Sequence, residues 1–252
     1  MTEESVSPIT FPTDSYSHST GWIGKTFVST PSLFDAIGVV RNLAILDVGC
    51  GFGRYCKSLL DVGASSYVGI DVSQEMIDLA LKSHHGLNAA SFLRMDAEEM
   101  TFNDQFDLVI ANHVLQFCPS VAKLTNVCKN IYRSLRKGRR AVGFVPNGIS
   151  ELSFTEEDGR KFGARLVIPE NVTDGQRVAI KFYNGETGEV TGGTTMTWFF
   201  KETYEECLKA AGFENVVWYA PTVSKEGIEK FGEDYFRNLL NPPKDIIFEV
   251  TK

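Results

Sequence analysis

Between residues 44 and 146, two patterns of apolar and polar positions take turns along the chain. Short apolar runs give way to stretches with an apolar position every three or four residues, as in a buried strand followed by an amphipathic helix. Strands are predicted at residues 44–48, 67–72, 90–96, 106–112 and 140–146, and helices at 32–40, 54–60, 74–82 and 121–135. This alternation predicts a doubly wound, mostly parallel α/β sheet of the Rossmann-like type, which binds ligands at the carboxyl ends of its strands.

The pattern changes between residues 150 and 200. Strand-like runs at 166–168, 178–183 and 196–200 are separated by turn signals such as Asn184-Gly185 and Gly192-Gly193, which predicts a small antiparallel β insert after the fifth strand. A helix at 202–210, a strand at 215–219, a helical tail at 225–240 and a last strand at 246–250 follow.

The length of 252 residues, with 43% hydrophobic positions, predicts a single domain over residues 1–252. Residues 150–200 form its β-rich insert, expected on the substrate side. Residues 1–30 form an N-terminal arm with aromatic residues among small ones. The arm either packs on the core or acts as a lid over a pocket, and the sequence favours neither.

Charge and cysteine content limit the partners. The formal net charge of −7 and the pI of about 5.2 argue against a nucleic-acid partner. The five cysteines are odd in number and contain no Cys-x-x-Cys pair, so neither a disulfide framework nor a metal site is expected. No signal-peptide pattern and no apolar run of the roughly 20 residues that a membrane span needs are present, so we expect a cytoplasmic protein and no membrane partner.

A glycine-rich turn follows the first predicted strand, in the pattern Asp47-x-Gly49-x-Gly51-x-Gly53. Arg54 follows Gly53, so the third glycine of a dinucleotide-binding turn is missing, and the lysine and hydroxyl residue of a phosphate-binding loop are absent too. Acids end the next two strands: Asp71 can accept both hydroxyls of a ribose. Asp96 can accept from an adenine amino group, while the Ala97 N–H donates to a ring nitrogen. The predicted ligand is an adenosine without a polyphosphate.

These motifs resemble those of the class I S-adenosylmethionine-dependent methyltransferases. The resemblance covers roughly residues 40–145, with the motifs at residues 45–55, 68–73, 95–98 and 106–117. It implies that S-adenosylmethionine is the cofactor, S-adenosylhomocysteine the product, and the sheet a methyltransferase sheet. The cofactor-binding residues that it implies are Gly49, Cys50, Gly51, Asp71, Val72, Met76, Asp96, Ala97 and Asn112.

The rest of the chain resembles a narrower group, the toxoflavin-type small-molecule N-methyltransferases. The support is the strand-rich insert and the runs at residues 198–205, 211–213, 223–228 and 231–232. This resemblance implies methyl transfer to a nitrogen of a small, planar heterocyclic molecule. Three other functions stay open: oxygen methylation of a small molecule, cofactor binding without catalysis, and nucleic-acid methylation, which the net charge opposes. The oligomeric state cannot be read from these patterns.

His113 follows Asn112 at the mouth of the predicted site. It is the candidate catalytic residue, as a base or as a donor that orients the substrate; the alternative is a histidine packed without a proton role. A flat heteroaromatic would stack on aromatic side chains. The candidate substrate-binding residues are Tyr16, Trp22, His113, Phe117, Asn147 and Trp198. Core packing is the favoured role for Phe199 and Phe200.

Two motifs invite a functional interpretation that their setting does not support. His84-His85 resembles a metal pair, but adjacent helical side chains diverge, so a solvated helix end is predicted. Asn241-Pro242-Pro243 resembles the motif of adenine-amino methyltransferases, but it lies near the C-terminal end and is followed by Lys244 instead of an aromatic residue. We predict a turn there.

Overall fold

A computed structural model describes residues 13, 16, 21–149, 152 and 154–252. Its strands are β1 Ala44–Val48, β2 Ser66–Asp71, β3 Ala90–Arg94, β4 Phe106–Ile110, β5 Leu135–Pro146, β6 Ala164–Val167, β7 Gln176–Tyr183, β8 Val190–Trp198, β9 Val216–Tyr219 and β10 Asp245–Thr251. Within these residues, seven strands form one sheet in the order β3-β2-β1-β4-β5-β10-β9. β10 runs antiparallel to both neighbours, and the other pairs are parallel. The predicted mostly parallel α/β sheet is confirmed.

Helices connect the strands on both faces of the sheet. They are α1 Thr30–Ile37, α2 Cys56–Asp61, α3 Gln74–Ser83, α4 Val121–Ser134, α5 Glu156–Phe162, α6 Lys201–Ala211, α7 Lys225–Phe231 and α8 Arg237–Leu240. A π-helical turn, Lys25–Ser29, precedes α1, and 3-10 turns cover Leu115–Phe117 and Glu233–Phe236. The predicted helical tail at 225–240 is broken at Gly232, which has a φ of 79°. A left-handed residue cannot continue a right-handed helix.

The apolar runs of the central strands are buried on both sides. In β1, Ile45 packs into one core cluster with Leu108, whereas the next residue, Leu46, packs into the opposite cluster with Val109. Successive strand residues point to opposite faces, so a strand covered by helices on both faces must be apolar throughout. The continuous apolar run that predicted β4 has this cause: each of its five residues is buried.

The insert is a separate antiparallel sheet in the order β6-β7-β8, as predicted. Gly192 and Gly193, predicted as a turn, instead lie within β8, where they pair with Phe182 and Lys181. Its core cluster includes Met196, Trp198 and Trp22. The Trp22 indole N–H donates to the Tyr183 carbonyl at 2.8 Å, which fastens the end of the N-terminal arm to the insert. Helix α5 was not predicted, although its capping box is a readable signal: Thr155 and Asp158 each cap the other's backbone N–H.

The structure places His84-His85 at a helix end and Asn241-Pro242-Pro243 in a turn, as the sequence predicted. His84 caps the end of α3 and stacks on Phe92, with ring centroids 5.4 Å apart. Among the described residues, no group of histidine, cysteine or acidic side chains could hold a metal ion. Residues 241–243 form a turn that leads into β10. In the same part of the chain, no helix is both long and apolar enough to cross a membrane.

Candidate active site

A cavity of about 590 Å³ lies at the carboxyl ends of the parallel strands. One side is formed by the glycine turn and by the residues that follow β2, β3 and β4. The other side is formed by the end of the N-terminal arm and by the small sheet, including Ile180, Phe182 and Met196. The volume lies within the usual range of small-molecule sites. Two chemically different sets of residues therefore line the same cavity.

The glycine turn requires glycine for two different reasons. Gly49 has a φ of 70°, and a Cβ on it would lie 2.6 Å from Val114 Cγ2, which is inside contact distance. Gly51 has a φ of 55°, and the nearest atom to an added Cβ, Met76 Sδ, is 3.9 Å away. Gly51 therefore presents bare backbone to the cavity, where a ligand can approach closely.

Cys50 does not line the cavity, although its neighbours Gly49 and Gly51 do. Its backbone N–H donates to the Ile70 carbonyl at 2.9 Å. Its thiol is buried, and burial raises the thiol pKa above the ordinary range. Cys50, which was predicted to bind the cofactor with Gly49 and Gly51, instead links β1 to β2.

Asp71 is held at the end of β2 by two backbone amides. Gly51 N–H donates to its Oδ2 and Ser73 N–H to its Oδ1, each at 2.9 Å. Burial raises its pKa, and these two hydrogen bonds counteract the rise. The two amides fix the orientation of the Asp71 carboxylate. Each of its oxygens keeps a second lone pair, so it can still accept hydrogen bonds from a ligand. Val72 and Met76 line the cavity beside it.

Asp96 and Ala97 follow β3 and also line the cavity. The Asp96 carboxylate accepts from the Glu98 N–H at 2.9 Å, and the Ala97 carbonyl accepts from Asn130 Nδ2 at 2.9 Å. No hydrogen bond from the Ala97 N–H to another part of the described chain is present. An acceptor and a donor thus stand side by side, as the edge of an adenine requires.

Asn112 carries an unused acceptor. Its Nδ2 donates to the Tyr55 hydroxyl at 2.8 Å, whereas its buried Oδ1 has no hydrogen-bond donor among the described residues. A buried amide oxygen without a partner costs free energy. Asn112 lines the cavity, so a bound donor would satisfy it.

His113 is the first of the predicted substrate-side residues, and both its backbone and its ring are held by Phe144. Its N–H donates to the Phe144 carbonyl at 2.9 Å, and its ring stacks on Phe144 at 5.4 Å with a 20° tilt. Burial, with a smaller contribution from the charge of Lys25, lowers the pKa of His113 to about 3. The imidazole is therefore neutral at physiological pH and a weak base. This favours an orienting or packing role over proton abstraction.

The arm and the insert together supply an aromatic wall. The Tyr16 ring lies 6.1 Å from both Trp22 and Phe182, and the latter two rings lie 5.4 Å apart. Lys25 Nζ donates to the Tyr16 hydroxyl at 2.7 Å and sits 4.1 Å from the centre of its ring. Burial, aided by the charge of Arg54, lowers the pKa of Lys25 well below its ordinary value.

Four of the six predicted substrate-side residues line the cavity: Tyr16, Trp22, His113 and Phe117. Asn147 does not, because its side chain donates to the Pro243 carbonyl at 2.9 Å and its N–H to the Lys244 carbonyl at 2.9 Å. Trp198 does not line the cavity either: it ends β8 and is fully buried. Phe199 packs in the main core, as predicted.

Several polar residues reach the cavity without any signal in the sequence pattern. They are Lys25, Gln116, Arg177 and Asp245. Lys25, Arg177 and Asp245 lie outside the motif ranges, and Gln116 lies within the range 106–117 but was not singled out there. Only the packing of distant segments brings these residues together. A polar residue next to an aromatic one, as in Gln116-Phe117, is too common to predict a site.

The comparisons agree with this geometry. The family described as "Methyltransferase domain" matches residues 46–142. A malonyl-[acyl-carrier protein] O-methyltransferase of Acetivibrio thermocellus is 30% identical over 216 residues, which cover 84% of this chain and 70% of the relative. A ubiquinone biosynthesis O-methyltransferase of Bradyrhizobium diazoefficiens is 27% identical over 138 residues, which cover 54% of this chain and 49% of that protein.

Solved structures show the same fold. An S-adenosylmethionine-dependent methyltransferase of Mesorhizobium loti is 20% identical, with a TM-score of 0.61 over 88% of this chain and 96% of the other. A protein of Listeria monocytogenes described as a methyltransferase of that type is 19% identical, with a TM-score of 0.62 over the same shares. The chain belongs to the class I S-adenosylmethionine-dependent methyltransferases.

The residues present fit this cofactor. The unpartnered Asn112 oxygen can accept from an amino group, the bare backbone of Gly51 leaves room for a ligand, and Asp71 and Asp96 supply acceptors for hydroxyl and amino groups. When bound, S-adenosylmethionine supplies an electrophilic methyl group on a sulfonium. Among the described residues, no metal site accompanies it.

Proposed function

We propose that this methyltransferase transfers the methyl group to a ring nitrogen of a small, planar heterocyclic molecule. The observation that carries the proposal is the aromatic wall of Tyr16, Trp22 and Phe182, which lines the same cavity as the cofactor-side residues. A planar ring stacks favourably against such side chains. The resemblance to the toxoflavin-type N-methyltransferases supports the same substrate class.

Methyl transfer is an in-line displacement, so the protein's task is to align an acceptor lone pair with the methyl group and to keep water away. Residues of the glycine turn, Asp71, Asp96 and Asn112 would hold the cofactor. The aromatic wall and His113 would orient the acceptor ring. His113 is neutral, so it can offer a hydrogen bond without a charge that repels the sulfonium.

We also propose that residues 1–30 act as a lid and residues 150–200 as a roof of one domain. The support is that Trp22 donates a hydrogen bond to the Tyr183 carbonyl of the insert, and that described residues of both segments line the cavity. All five cysteines are unpaired, which supports a reducing, cytoplasmic location. The net charge of −7 supports a small-molecule partner over a nucleic acid.

Oxygen methylation is the second candidate. Its support is that the malonyl-[acyl-carrier protein] and ubiquinone biosynthesis relatives are both named as O-methyltransferases. An oxygen acceptor carries a proton that must leave, or it enters as an anion beside Lys25 or Arg177, which both line the cavity.

The test is a screen of purified protein with methyl-labelled S-adenosylmethionine against three sets of compounds: nitrogen heterocycles, phenols with carboxylic acids, and aliphatic amines. Mass spectrometry detects the transfer, and NMR locates the methyl group. Asp71→Ala protein gives the background. We expect label on a ring nitrogen. Label on oxygen alone refutes the nitrogen acceptor, and cofactor binding without any transfer supports the non-catalytic alternative.

A further inference from the structure

Asp245 places a carboxylate in the substrate part of the cavity. It is the first residue of β10 and pairs with Pro146, the last residue of β5. The strand on the other side of β5, β4, leads into His113, whose N–H is bonded to Phe144 of β5. Asp245 therefore stands at the same edge of the sheet as the cofactor-side residues, beyond His113, and it lines the cavity.

The backbone before Asp245 is fixed from two sides. Asn147 donates two hydrogen bonds, from its side-chain Nδ2 to the Pro243 carbonyl and from its backbone N–H to the Lys244 carbonyl. The Lys244 N–H in turn donates to the Leu239 carbonyl at 2.9 Å. Asn147 thus serves the site as a positioning residue instead of a lining residue. A side chain on a clamped strand end is pre-organised for a ligand.

The Asp245 carboxylate has no hydrogen-bond donor and no ion-pair partner in the described part of the chain. Burial raises its pKa to about 7, and no neighbouring charge offsets that effect. The side chain nevertheless keeps partial exposure to the cavity. A carboxylate in such a place destabilises the fold unless a ligand pairs with it.

Gln116 adds an independent second acceptor. It is 97% buried, lines the same cavity, and its Oε1 has no donor among the described residues. It lies in the 3-10 turn Leu115–Phe117, which packs against β5 and β8. Two acceptors without donors that line one cavity indicate a ligand that brings donors of its own.

We infer that Asp245 is a further catalytic residue: its carboxylate binds an N–H of the acceptor heterocycle and takes that proton, while Gln116 orients the same ring. This inference rests on the proposed function and narrows its substrate class to planar heterocycles with at least one ring N–H.

The step balances as follows. The lone pair of the attacking ring nitrogen forms the N–CH₃ bond, and the methyl–sulfur bond breaks with its electron pair on sulfur. The N–H proton of the conjugated ring passes to the Asp245 carboxylate. The products are a neutral N-methyl heterocycle, a neutral thioether and a protonated Asp245, which returns its proton to water.

The surroundings of Asp245 contain both charges. The titratable side chains that line the same cavity are Tyr16, Lys25, Asp71, Asp96, Glu98, His113, Cys118, Lys123, Arg165 and Arg177. Lys244 precedes Asp245 in the chain, and the Asp245 charge adds to the effect of burial, which raises the pKa of Tyr204. The carboxylate must be ionised to accept a proton. Activity should therefore fall as the pH drops through about 7.

The experiment compares wild type with Asp245→Asn, using Asp61→Asn, an exposed carboxylate on α2, as the matched control. With the acceptor found in the screen, we expect kcat/KM of Asp245→Asn to fall by about 10²–10⁴-fold and the acidic limb of the pH profile to vanish. Affinity for S-adenosylhomocysteine should stay within about twofold by calorimetry, because the cofactor residues lie on other strands. The melting temperature should be unchanged or higher, because a buried unpaired charge is removed.

A binding probe keeps the test independent of turnover. 2-Aminobenzimidazole is planar and carries N–H donors. We expect it to bind the S-adenosylhomocysteine complex of wild type at least about tenfold more tightly than that of Asp245→Asn, since hydrogen bonds to a charged acceptor are the strong ones. Equal affinity, or no binding to wild type, overturns the inference.

The outcomes separate the two proposals. If wild type methylates no compound, the proposed function fails, and the probe still tests Asp245. If wild type is active and Asp245→Asn keeps its kcat/KM and its pH profile, Asp245 is not catalytic, and the proposed function stands. A clear fall in the melting temperature of Asp245→Asn would identify a structural carboxylate and overturn the inference as well.

Discussion

Asp71→Ala tests the assignment of the cofactor side. The carboxylate is fixed by the Gly51 and Ser73 amides at 2.9 Å and faces the cavity with its remaining lone pairs. Two ribose hydroxyls bonded to a charged acceptor contribute about 1.5–3 kcal/mol each. Losing both costs about 3–6 kcal/mol, so the dissociation constant for S-adenosylhomocysteine should rise on the order of 10²–10⁴-fold.

The assay is isothermal titration calorimetry with S-adenosylhomocysteine. Asp78→Ala, an exposed carboxylate on α3 that bonds only Gln74 among the described residues, is the matched control and should bind like wild type. Asp71→Asn keeps one acceptor oxygen and should fall between the two. Asp71→Ala also leaves two backbone amides to water, so its melting temperature is measured to show that it is folded. Folded Asp71→Ala protein with affinity within about threefold of wild type refutes the ribose assignment.

Two further predictions concern pH and stability. Because the folded pKa of His113, about 3, lies below its unfolded value of about 6.5, the unfolded chain takes up the proton first, and stability is lost as the pH falls below about 6.5. His113→Phe keeps the stack on Phe144 and should reduce the fall in melting temperature between pH 7.5 and 5; parallel curves for both proteins contradict this. Buried Asp107 accepts from the Ala44 N–H at 2.9 Å and Arg136 at 2.7 Å, so Asp107→Ala should lower the unfolding free energy in urea by about 2–3 kcal/mol, and a loss under about 1 kcal/mol argues against the pairing.

On the cofactor side, the sequence predicted the strands, the glycine turn and the places of the two acids, because the signals there are local. A continuous apolar run specifies a doubly covered strand, and a glycine with positive φ specifies a turn, without reference to distant residues. Parallel strands also end at one edge, so acids such as Asp71 and Asp96 were predicted to meet from their positions alone. The turn from Gly49 to Gly53 was correct for the same reason.

The substrate half was decided by tertiary structure. Trp198 and Met196 lie two residues apart on β8 and pack in the same core cluster, yet only Met196 reaches the cavity. The environment that makes His113 a weak base comes from burial among distant segments. The position of His113 within a motif does not show how deeply distant segments will bury its ring.

Asp245 shows this dependence most clearly. Nothing in its neighbourhood along the chain distinguishes it from any acid that follows a turn. It enters the cavity because antiparallel pairing of β10 with β5 sets it opposite Pro146, roughly one hundred residues away in the sequence. The local motifs of the sequence predicted an adenosine ligand, and their resemblance to the class I methyltransferases predicted S-adenosylmethionine. The register between distant strands decided which side chains line the substrate part of the cavity. The reason is that register, and not the local sequence pattern, sets the face on which a strand residue lies.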